Sequence, residues 1–345
     1  MSDKYKPGAG VDVGTSNIVV ARQKEDGTFE NRYHRNMLYA LDVSDEATDL
    51  LESSNYLYVK VGDIFYVVGD DALKLVNAIG SGEVIRPMKD GILNPTLQES
   101  SELLFYIIKA VVGEPIKENE SLRYSIPANP IDVDNDNVFH KMLLESFFKK
   151  LGFNPKPVNE AMCIAYDCNP VMKTEDGDVA LSGICVSAGA GMTNVALSFK
   201  GLELNSFSVT KSGDYIDERV ALATGINKNQ IVRIKEKKLD LNNVDMSDRA
   251  ISALSIYYDE VIHRVLSQIA SKFKDSKSQM EGEIEIIVAG GTSMPEGYGQ
   301  RFKKCLSDIN LPFTVYGVRQ SKTPFYSVSQ GACIRAQADH AKAAK

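Results

Sequence analysis

The chain has 345 residues, of which 43% are hydrophobic and 25% charged. This balance is typical of a soluble globular protein and excludes a disordered, collagenous or disulfide-scaffold chain. The 39 basic and 46 acidic residues give a net charge of −7, and no basic region is concentrated enough to indicate direct nucleic-acid binding. At roughly 150 residues per domain, this length predicts two domains.

The sequence predicts a cytoplasmic protein without a membrane anchor. No window reaches the ~20 unbroken apolar residues of a membrane span. Residues 1–7 lack the apolar stretch of a secretion signal or of an amphipathic anchor. The five cysteines are an odd number scattered through apolar segments, which indicates reduced thiols in a cytoplasmic protein.

Strand and helix patterns alternate along the chain, which predicts an α/β fold. Two β-branched runs at residues 11–14 and 17–21 indicate a hairpin with a turn of small residues. Residues 56–60 and 63–68 indicate a second, smaller hairpin.

Apolar residues that recur every three or four positions predict three long helices. These helices span residues 96–112, 136–151 and 247–273. A stripe of this kind is the core-facing side of an amphipathic helix, so it predicts burial and no chemistry.

One pattern occurs twice in the chain. Residues 10–21 read Gly-Val-Asp-Val-Gly-Thr-Ser-Asn-Ile-Val-Val-Ala, and residues 183–197 read Gly-Ile-Cys-Val-Ser-Ala-Gly-Ala-Gly-Met-Thr-Asn-Val-Ala-Leu. Aligning the glycines places Gly14 on Gly189, about half a chain length away. One strand-turn-strand unit in each half predicts two domains of related design that face each other.

Turns of this composition suit phosphate binding. Because Gly, Ala, Thr and Ser are small, the backbone can approach an anion and direct successive N–H groups at it. Two such turns on opposite walls would hold a chain of phosphates between the domains. Asp12, at the end of the first predicted strand, would hold Mg²⁺ through water, because Mg²⁺ keeps much of its hydration shell. The chain contains no Walker-type Gly-x-x-x-x-Gly-Lys-Ser/Thr segment.

A third glycine motif connects these turns to a family. Residues 284–289 form a predicted buried strand that runs into Gly290, Gly291 and Thr292, and a helix is expected after Pro295. Residues 288–299 closely resemble the adenosine motif of the actin-like ATPases. The two repeated units resemble the two phosphate motifs of that superfamily, and two further segments resemble its interdomain connecting helices. In chain order, the five matching segments are residues 10–17, 99–112, 187–194, 288–299 and 328–336.

The resemblance implies an actin-like fold, which is a duplicated, ribonuclease H-like α/β fold. Two domains would flank a nucleotide cleft, each with a small subdomain. Domain I would comprise residues 1–165 and 321–345, with its small subdomain at about 33–90. Domain II would comprise residues 166–320, with its small subdomain at about 225–248.

Three segments narrow the resemblance to prokaryotic filament proteins of the MamK and MreB type. They are residues 66–72, 86–92 and 210–220. This resemblance implies an ATPase that uses ATP and ADP with Mg²⁺ and forms cytoskeletal filaments in the cytoplasm. Its partners would be further copies of itself and an adaptor or cargo protein. Filament contacts are expected near residues 56–82 and 225–248.

The resemblance also assigns site residues. Asp12 would lie on the Mg²⁺ side, and Glu160 would orient the water that attacks the γ-phosphate. The residues implied in nucleotide binding are Gly14, Thr15, Ser16, Asn17, Ser187, Gly189, Gly191, Met192, Thr193, Gly213, Lys235, Glu236, Gly290, Gly291 and Thr292. Three of these assignments have structural alternatives. Glu160 is also typical of a helix start, where the helix dipole favours an acidic residue. Lys235 and Glu236 are also typical of an exposed helix with i,i+4 charge pairs.

The second phosphate motif departs from the family pattern. Ser187 stands where the motif begins with an aspartate, and a hydroxyl brings no charge. Nucleotide binding should survive, because the glycine turn is intact. Hydrolysis is expected to slow by roughly 10²-fold or more.

Two other functions stay open at this point. Weak hydrolysis also suits a monomeric, nucleotide-switched binding or scaffold protein. A small-molecule phosphotransferase would need an acceptor site, and no motif for one is visible in the sequence.

Overall fold

The computed structural model describes residues 5–79, 84–97, 99–134, 136–168, 171–174, 177–180, 182–279 and 283–343. The strands are β1 (Tyr5–Val13), β2 (Asn17–Lys24), β3 (Phe29–Arg35), β4 (Leu38–Asp42), β5 (Tyr58–Val61), β6 (Ile64–Val68), β7 (Met88–Lys89), β8 (Ile92–Leu93), β9 (Ser121–Ile126), β10 (Asn154–Asn159), β11 (Val171–Thr174), β12 (Gly177–Ala180), β13 (Gly183–Ala188), β14 (Thr193–Phe199), β15 (Leu202–Val209), β16 (Ile284–Ala289) and β17 (Val315–Gln320). The helices are α1 (Asp45–Ser53), α2 (Asp70–Ile79), α3 (Ser100–Val112), α4 (Val138–Lys150), α5 (Glu160–Cys168), α6 (Gly213–Thr224), α7 (Lys228–Lys238), α8 (Arg249–Lys272), α9 (Tyr298–Leu306) and α10 (Ser327–Ala343).

Two five-stranded sheets share one design. The first has the order β10-β9-β1-β2-β3, in which β10, β9 and β1 are parallel and β2 and β3 are antiparallel. The second has the order β17-β16-β13-β14-β15, with the same sequence of parallel and antiparallel pairs. The duplication predicted from the repeated pattern is therefore confirmed.

The two predicted turns are also equivalent in their hydrogen bonds. The Gly14 N–H donates to the carbonyl of Asn17 at 3.0 Å in the β1–β2 turn. The Gly189 N–H donates to the carbonyl of Met192 at 2.9 Å in the β13–β14 turn. Each turn reverses the chain within four residues, 14–17 and 189–192, which places its small residues at the same edge of its sheet.

The predicted helices are present with slightly shorter limits. Helix α8 begins at Arg249 because the Asp248 side chain accepts hydrogen bonds from the N–H groups of Ala250 and Ile251. Helix α4 ends at Lys150, just before Gly152, whose φ of +91° a side chain would disfavour. In the described part of the chain, no helix combines the length and the apolar character needed to span a bilayer.

The apolar core is divided among the layers. One cluster lies between the first sheet and helices α3 and α4, and a second lies between the second sheet and helices α6 to α9. A third, built around α5 and including residues of α10 and the second sheet, lies between the two sheets. A small sheet of order β4-β6-β5 packs with α1 and α2 around a core of its own.

The two helices between the sheets are α5 and α10, so the assignment of residues 99–112 as a connecting helix is wrong. Helix α3, which covers those residues, packs against β2 and β3 and buries Leu104 and Ile108 in the first cluster. An apolar stripe indicates that a helix has a buried face, but it does not indicate which layer covers that face. The assignment of residues 328–336 holds, because they lie within α10.

Helices α5 and α10 cross with their backbones in direct contact. A Cβ atom at Gly331 of α10 would fall well inside van der Waals distance of the Cys163 carbonyl in α5. On its other side, α10 meets β1, where a Cβ at Gly10 would overlap the backbone of Ser329 and Cys333. Only glycine permits this approach at these two positions.

Gly331→Ala is expected to destabilise the protein. Alanine normally favours a helix interior over glycine, but here the added methyl group overlaps a backbone carbonyl that cannot move without shifting α5. Overpacking of this kind costs about 1–3 kcal/mol or more in the free energy of unfolding, measured by chemical denaturation. Gly317→Ala is the matched control, because nothing lies within 4 Å of a Cβ there. Equal stability of the two variants would contradict the close crossing.

Candidate functional site

A cavity of about 520 Å³ opens between the two halves of the protein. Binding pockets for small molecules commonly measure roughly 300–1,000 Å³. Ten of the residues predicted from the sequence line it, namely Asp12, Gly14, Thr15, Ser16, Asn17, Lys235, Glu236, Gly290, Gly291 and Thr292. The second turn contributes Ala190 to the wall. The other seven predicted residues do not line the cavity: Gly189, Gly191 and Met192 belong to that turn, and Glu160, Ser187, Thr193 and Gly213 lie next to it.

The first turn is held from two sides. Asn36 donates its side-chain amide to the Gly14 carbonyl at 3.0 Å, and its backbone N–H to the Ser16 carbonyl at 2.8 Å. The Gly91 N–H donates to the hydroxyl of Thr15 at 3.0 Å. These bonds fix the backbone of the turn at the cavity wall.

The carbonyl of Gly189 joins the second turn to two other motifs. It accepts hydrogen bonds from the hydroxyl of Ser212 at 2.6 Å, the hydroxyl of Thr292 at 2.7 Å and the N–H of Gly213 at 3.2 Å. Gly213 is the first residue of α6, and Thr292 belongs to the third glycine motif. Three segments far apart in the chain therefore meet at one oxygen atom.

The two turns approach each other as closely as glycine allows. A Cβ at Gly191 would overlap the Thr15 hydroxyl and the backbone nitrogen of Gly91. In the third motif, Gly290 has a φ of +96°, and a Cβ there would overlap the backbone of Ala188. Position 290 therefore requires glycine for two reasons, its backbone conformation and this contact.

Asp12 lies on the cavity wall at the end of β1. Its Oδ1 accepts a hydrogen bond from the Ser125 hydroxyl at 2.8 Å, and that hydroxyl also accepts from the Val13 N–H at 3.0 Å. Burial raises the pKa of Asp12 to about 6, although the hydrogen bond from Ser125 opposes the shift. A carboxylate here is an oxygen ligand of the kind that Mg²⁺ prefers.

Glu160 is the first residue of α5, whose start is capped by the side chain of Asn159. Its carboxylate accepts hydrogen bonds on both oxygens, from the Ser187 hydroxyl at 2.8 Å and from the Asn194 amide at 2.9 Å. Burial and then the negative charge of Asp12 raise the pKa of Glu160 to about 8, and the two donors oppose this shift. Glu160 is therefore a helix-start residue that also has specific hydrogen-bond partners in the β13–β14 hairpin.

The charged residues of α7 pair with distant partners. The Lys235 ammonium lies 2.6 Å from Asp217. The two carboxylate oxygens of Glu236 accept hydrogen bonds from the Arg35 guanidinium at 3.2 and 3.0 Å. Arg35 lies at the end of β3, in the first half of the protein, and also donates to Asp70 at 2.8 Å. An ion pair therefore bridges the two halves at the cavity.

An aromatic wall was missed by the sequence analysis. The Tyr33 and Phe325 rings meet edge to face with centroids 5.2 Å apart, and Phe325 and Tyr326 do so at 5.1 Å. All three line the cavity. Phe325 and Tyr326 are neighbours in the sequence, but Tyr33 lies near the other end of the chain, so only the fold brings the three rings together.

Comparisons with known proteins agree with this architecture. A family model described as volactin matches residues 8–336. No curated protein matches the sequence. Among solved structures, the MamK double helical filament is 20% identical, with a TM-score of 0.69, and the match covers 96% of this chain and 98% of that chain.

Two more distant structures have the same fold. MreB 5 of Spiroplasma citri bound to AMPPNP is 14% identical, with a TM-score of 0.61 and 98% of each chain covered. The ethanolamine utilization protein EutJ from Carboxydothermus hydrogenoformans is also 14% identical, with a TM-score of 0.56, 95% of this chain and 89% of that chain covered. These likenesses show that the chain has the actin-like fold.

Glu160→Gln is expected to flatten the pH dependence of stability. Because the pKa of Glu160 is higher in the folded protein than its ordinary value of 4.5, the folded state binds more protons, and stability falls as pH rises toward 8. This single group contributes a slope of up to about 1.4 kcal/mol per pH unit. Denaturant unfolding between pH 5 and pH 8 measures it. Glu118→Gln, at an exposed loop position, is the control, and equal slopes for Glu160→Gln and the unmodified protein would contradict the burial of this carboxylate.

Arg35→Met and Glu236→Gln are expected to show coupled effects on stability. The Glu236 side chain is 41% exposed, so water screens the pair and a double-mutant cycle should give a coupling of about 0.5–1 kcal/mol. Each variant should also increase the radius of gyration in small-angle X-ray scattering, because the two halves lose a shared contact. Lys149→Met, which breaks a pair within α4, serves as the control. Strictly additive effects and unchanged scattering would show that the pair does not hold the two halves together.

Proposed function

The chain belongs to the volactin family and has the actin-like fold, and from this premise we propose that it binds ATP with Mg²⁺ in the cavity and polymerises into filaments. Hydrolysis of the bound ATP would promote disassembly. The observation that carries the proposal is the pair of equivalent glycine turns, which face each other at the cavity. Backbone N–H groups at such turns are suited to bind a chain of phosphates from both sides.

The assemblies and ligands of the similar structures support this proposal. One is described as a double helical filament, and the MreB 5 protein of Spiroplasma citri is described in complexes with AMPPNP and with ADP. A head-to-tail contact that does not close into a ring produces an open helical filament. The proposal transfers these two properties to this chain.

Each part of the cavity has an assigned task in the proposal. The phosphates would contact the backbone of residues 14–17 on one side and of residues 189–193 on the other. Asp12 would hold Mg²⁺ through water. When bound, Mg²⁺ neutralises phosphate charge. The nucleoside would lie against Gly290, Gly291 and Thr292, beside the aromatic wall, because Phe325 is next to Gly291.

Glu160 would orient the attacking water. Phosphoryl transfer needs mostly positioning and electrostatic stabilisation, so a carboxylate held in one orientation is a suitable group. As the first residue of α5 it lies next to the second turn, with its Oε1 4.0 Å from a Cβ built at Gly189. Deprotonated Glu160 would accept a hydrogen bond from the water and could take its proton.

Glu236 would have two competing partners. Its carboxylate accepts two hydrogen bonds from Arg35, so a ribose hydroxyl would have to share or displace that guanidinium. Lys235 would remain close to the nucleoside while paired with Asp217. Nucleotide binding is therefore coupled, in this proposal, to the ion pair that bridges the two halves.

Filament contacts would be made by two segments of the surface. Segments 56–82 and 225–248 are the proposed contact regions, and residues 80–82 lie outside the described residues. In the second region, Met246 is 66% exposed, and nearby Leu222 on α6 is 76% exposed. Exposed apolar side chains of this kind favour contact with another copy. The resemblance to MamK- and MreB-type proteins is the basis for three further proposals, namely the domain division at residues 165/166 and 320/321, a cytoplasmic location and an adaptor or cargo partner.

Electron microscopy with phosphate-release measurements tests the function. Filaments are expected with Mg-ATP, and Glu160→Gln should still form them while releasing phosphate about 10²- to 10⁴-fold more slowly, the usual effect of losing a proton-transfer group. Glu118→Gln, exposed and distant from the cavity residues, should match the unmodified protein. If no nucleotide condition gives particles larger than a monomer, the filament proposal fails and a monomeric nucleotide-switched protein becomes the better interpretation.

A further inference from the structure

The two side chains that donate hydrogen bonds to Glu160 lie side by side on the β13–β14 hairpin. Ser187 of β13 and Asn194 of β14 are directly opposite each other in the antiparallel register. Directly opposite residues project on the same face of a sheet, so their side chains reach α5 together. Each is 1% exposed, so both donors are buried, whereas Glu160 keeps part of its surface accessible.

The orientation of Asn194 is set by a second bond. Its Oδ1 accepts a hydrogen bond from the backbone N–H of Ala128 at 3.0 Å, so its NH₂ group must point toward Glu160. The opposite orientation would leave two N–H donors facing each other. Asn194 is thereby fixed as a donor to Oε2.

The backbone of Glu160 is fixed as well. Asn159 caps α5 through hydrogen bonds to the N–H groups of Ala161 and Met162 at 2.9 and 3.3 Å. With the backbone held by the cap and both oxygens held by donors, the carboxylate plane has one orientation. A carboxylate that is already held in one orientation does not have to be aligned when the reactant binds. The free-energy cost of reaching the reactive geometry is therefore lower.

We propose that Ser187 and Asn194 are positioning residues that act together through Glu160 in ATP hydrolysis. The inference rests on the proposed function, in which Glu160 orients the attacking water. Ser187 is then a working part of this site and not the remnant of a lost aspartate. An ionised aspartate at this position has no proton to donate, and it would bring a second negative charge to hydrogen-bond distance of Glu160.

Steady-state phosphate release and nucleotide affinity, measured separately, test the proposal. Ser187→Ala is expected to lower kcat by about 10- to 100-fold, because the Glu160 carboxylate loses its orientation and misplaced reacting groups slow a reaction by about that factor. The dissociation constant for ATP should change by less than about 2-fold. Ser187→Thr, which keeps the hydroxyl, should recover most of the rate, and Ser187→Asp should lower it. Thermal unfolding of each variant identifies any loss that comes from misfolding.

The same substitution in a Glu160→Gln background gives the decisive readout. If Ser187 acts only through Glu160, Ser187→Ala should have no further effect on kcat once the Glu160 carboxylate has been replaced. The effects of substitutions in residues that act as a unit are not additive. Ser198→Ala is the matched control. Ser198 is a buried serine on β14 whose hydroxyl has no hydrogen-bond partner among the described residues, so the rate should not change.

Each outcome decides between the proposals. A protein that binds ATP but does not hydrolyse it would overturn the ATPase function together with this inference. Normal hydrolysis in both the unmodified protein and Ser187→Ala would overturn the positioning role alone. A faster Ser187→Asp variant, or equal losses from Ser187→Ala in both backgrounds, would also overturn it, while leaving the ATPase function intact.

Discussion

The backbone contact between α5 and α10 is the constraint on which the rest of the structure depends. At Gly331 the two helices touch without an intervening side chain, and at Gly10 the other side of α10 meets β1 in the same way. Helix α5 in turn packs on the second sheet, through β13, β14 and β16. The distance between the two sheets is therefore set by two glycines, and larger residues would push the sheets apart.

This spacing decides whether the candidate site exists. Asp12 is the next-to-last residue of β1 in the first sheet, whereas Glu160 begins the helix that packs on the second. The charge of Asp12 contributes to the raised pKa of Glu160, so the two carboxylates interact electrostatically across the boundary. Burying two like charges is unfavourable. The hydroxyls of Ser125 and Ser187 and the amide of Asn194 offset part of that cost.

Contacts between the two halves differ in their sensitivity to water. The packing of α5 with α10 is mainly apolar and buried, with one hydrogen bond from the Ser327 hydroxyl of α10 to the Asp167 carboxylate of α5. The Arg35–Glu236 pair is partly exposed, and the Arg86–Asp214 pair, at 3.0 Å, also links the first half to α6. The Arg35–Glu236 pair, which lies at the cavity, can break and reform at little cost because water screens it. The fold thus combines a fixed crossing at its centre with exchangeable contacts at its mouth.

The sequence by itself determined the features that depend on neighbouring residues. Glycine turns, the repeated strand-turn-strand unit and the apolar stripes of α4 and α8 are local, because backbone conformation and periodicity are encoded within a few residues. The tertiary structure alone decided which helices lie between the sheets, the partners of Glu160 and of Glu236, and the aromatic wall. Ser187 shows the difference: its residue type indicated a missing charge, whereas its hydroxyl position revealed a donor to Glu160. A linear pattern indicates that a side chain is buried, but only the fold determines what it meets.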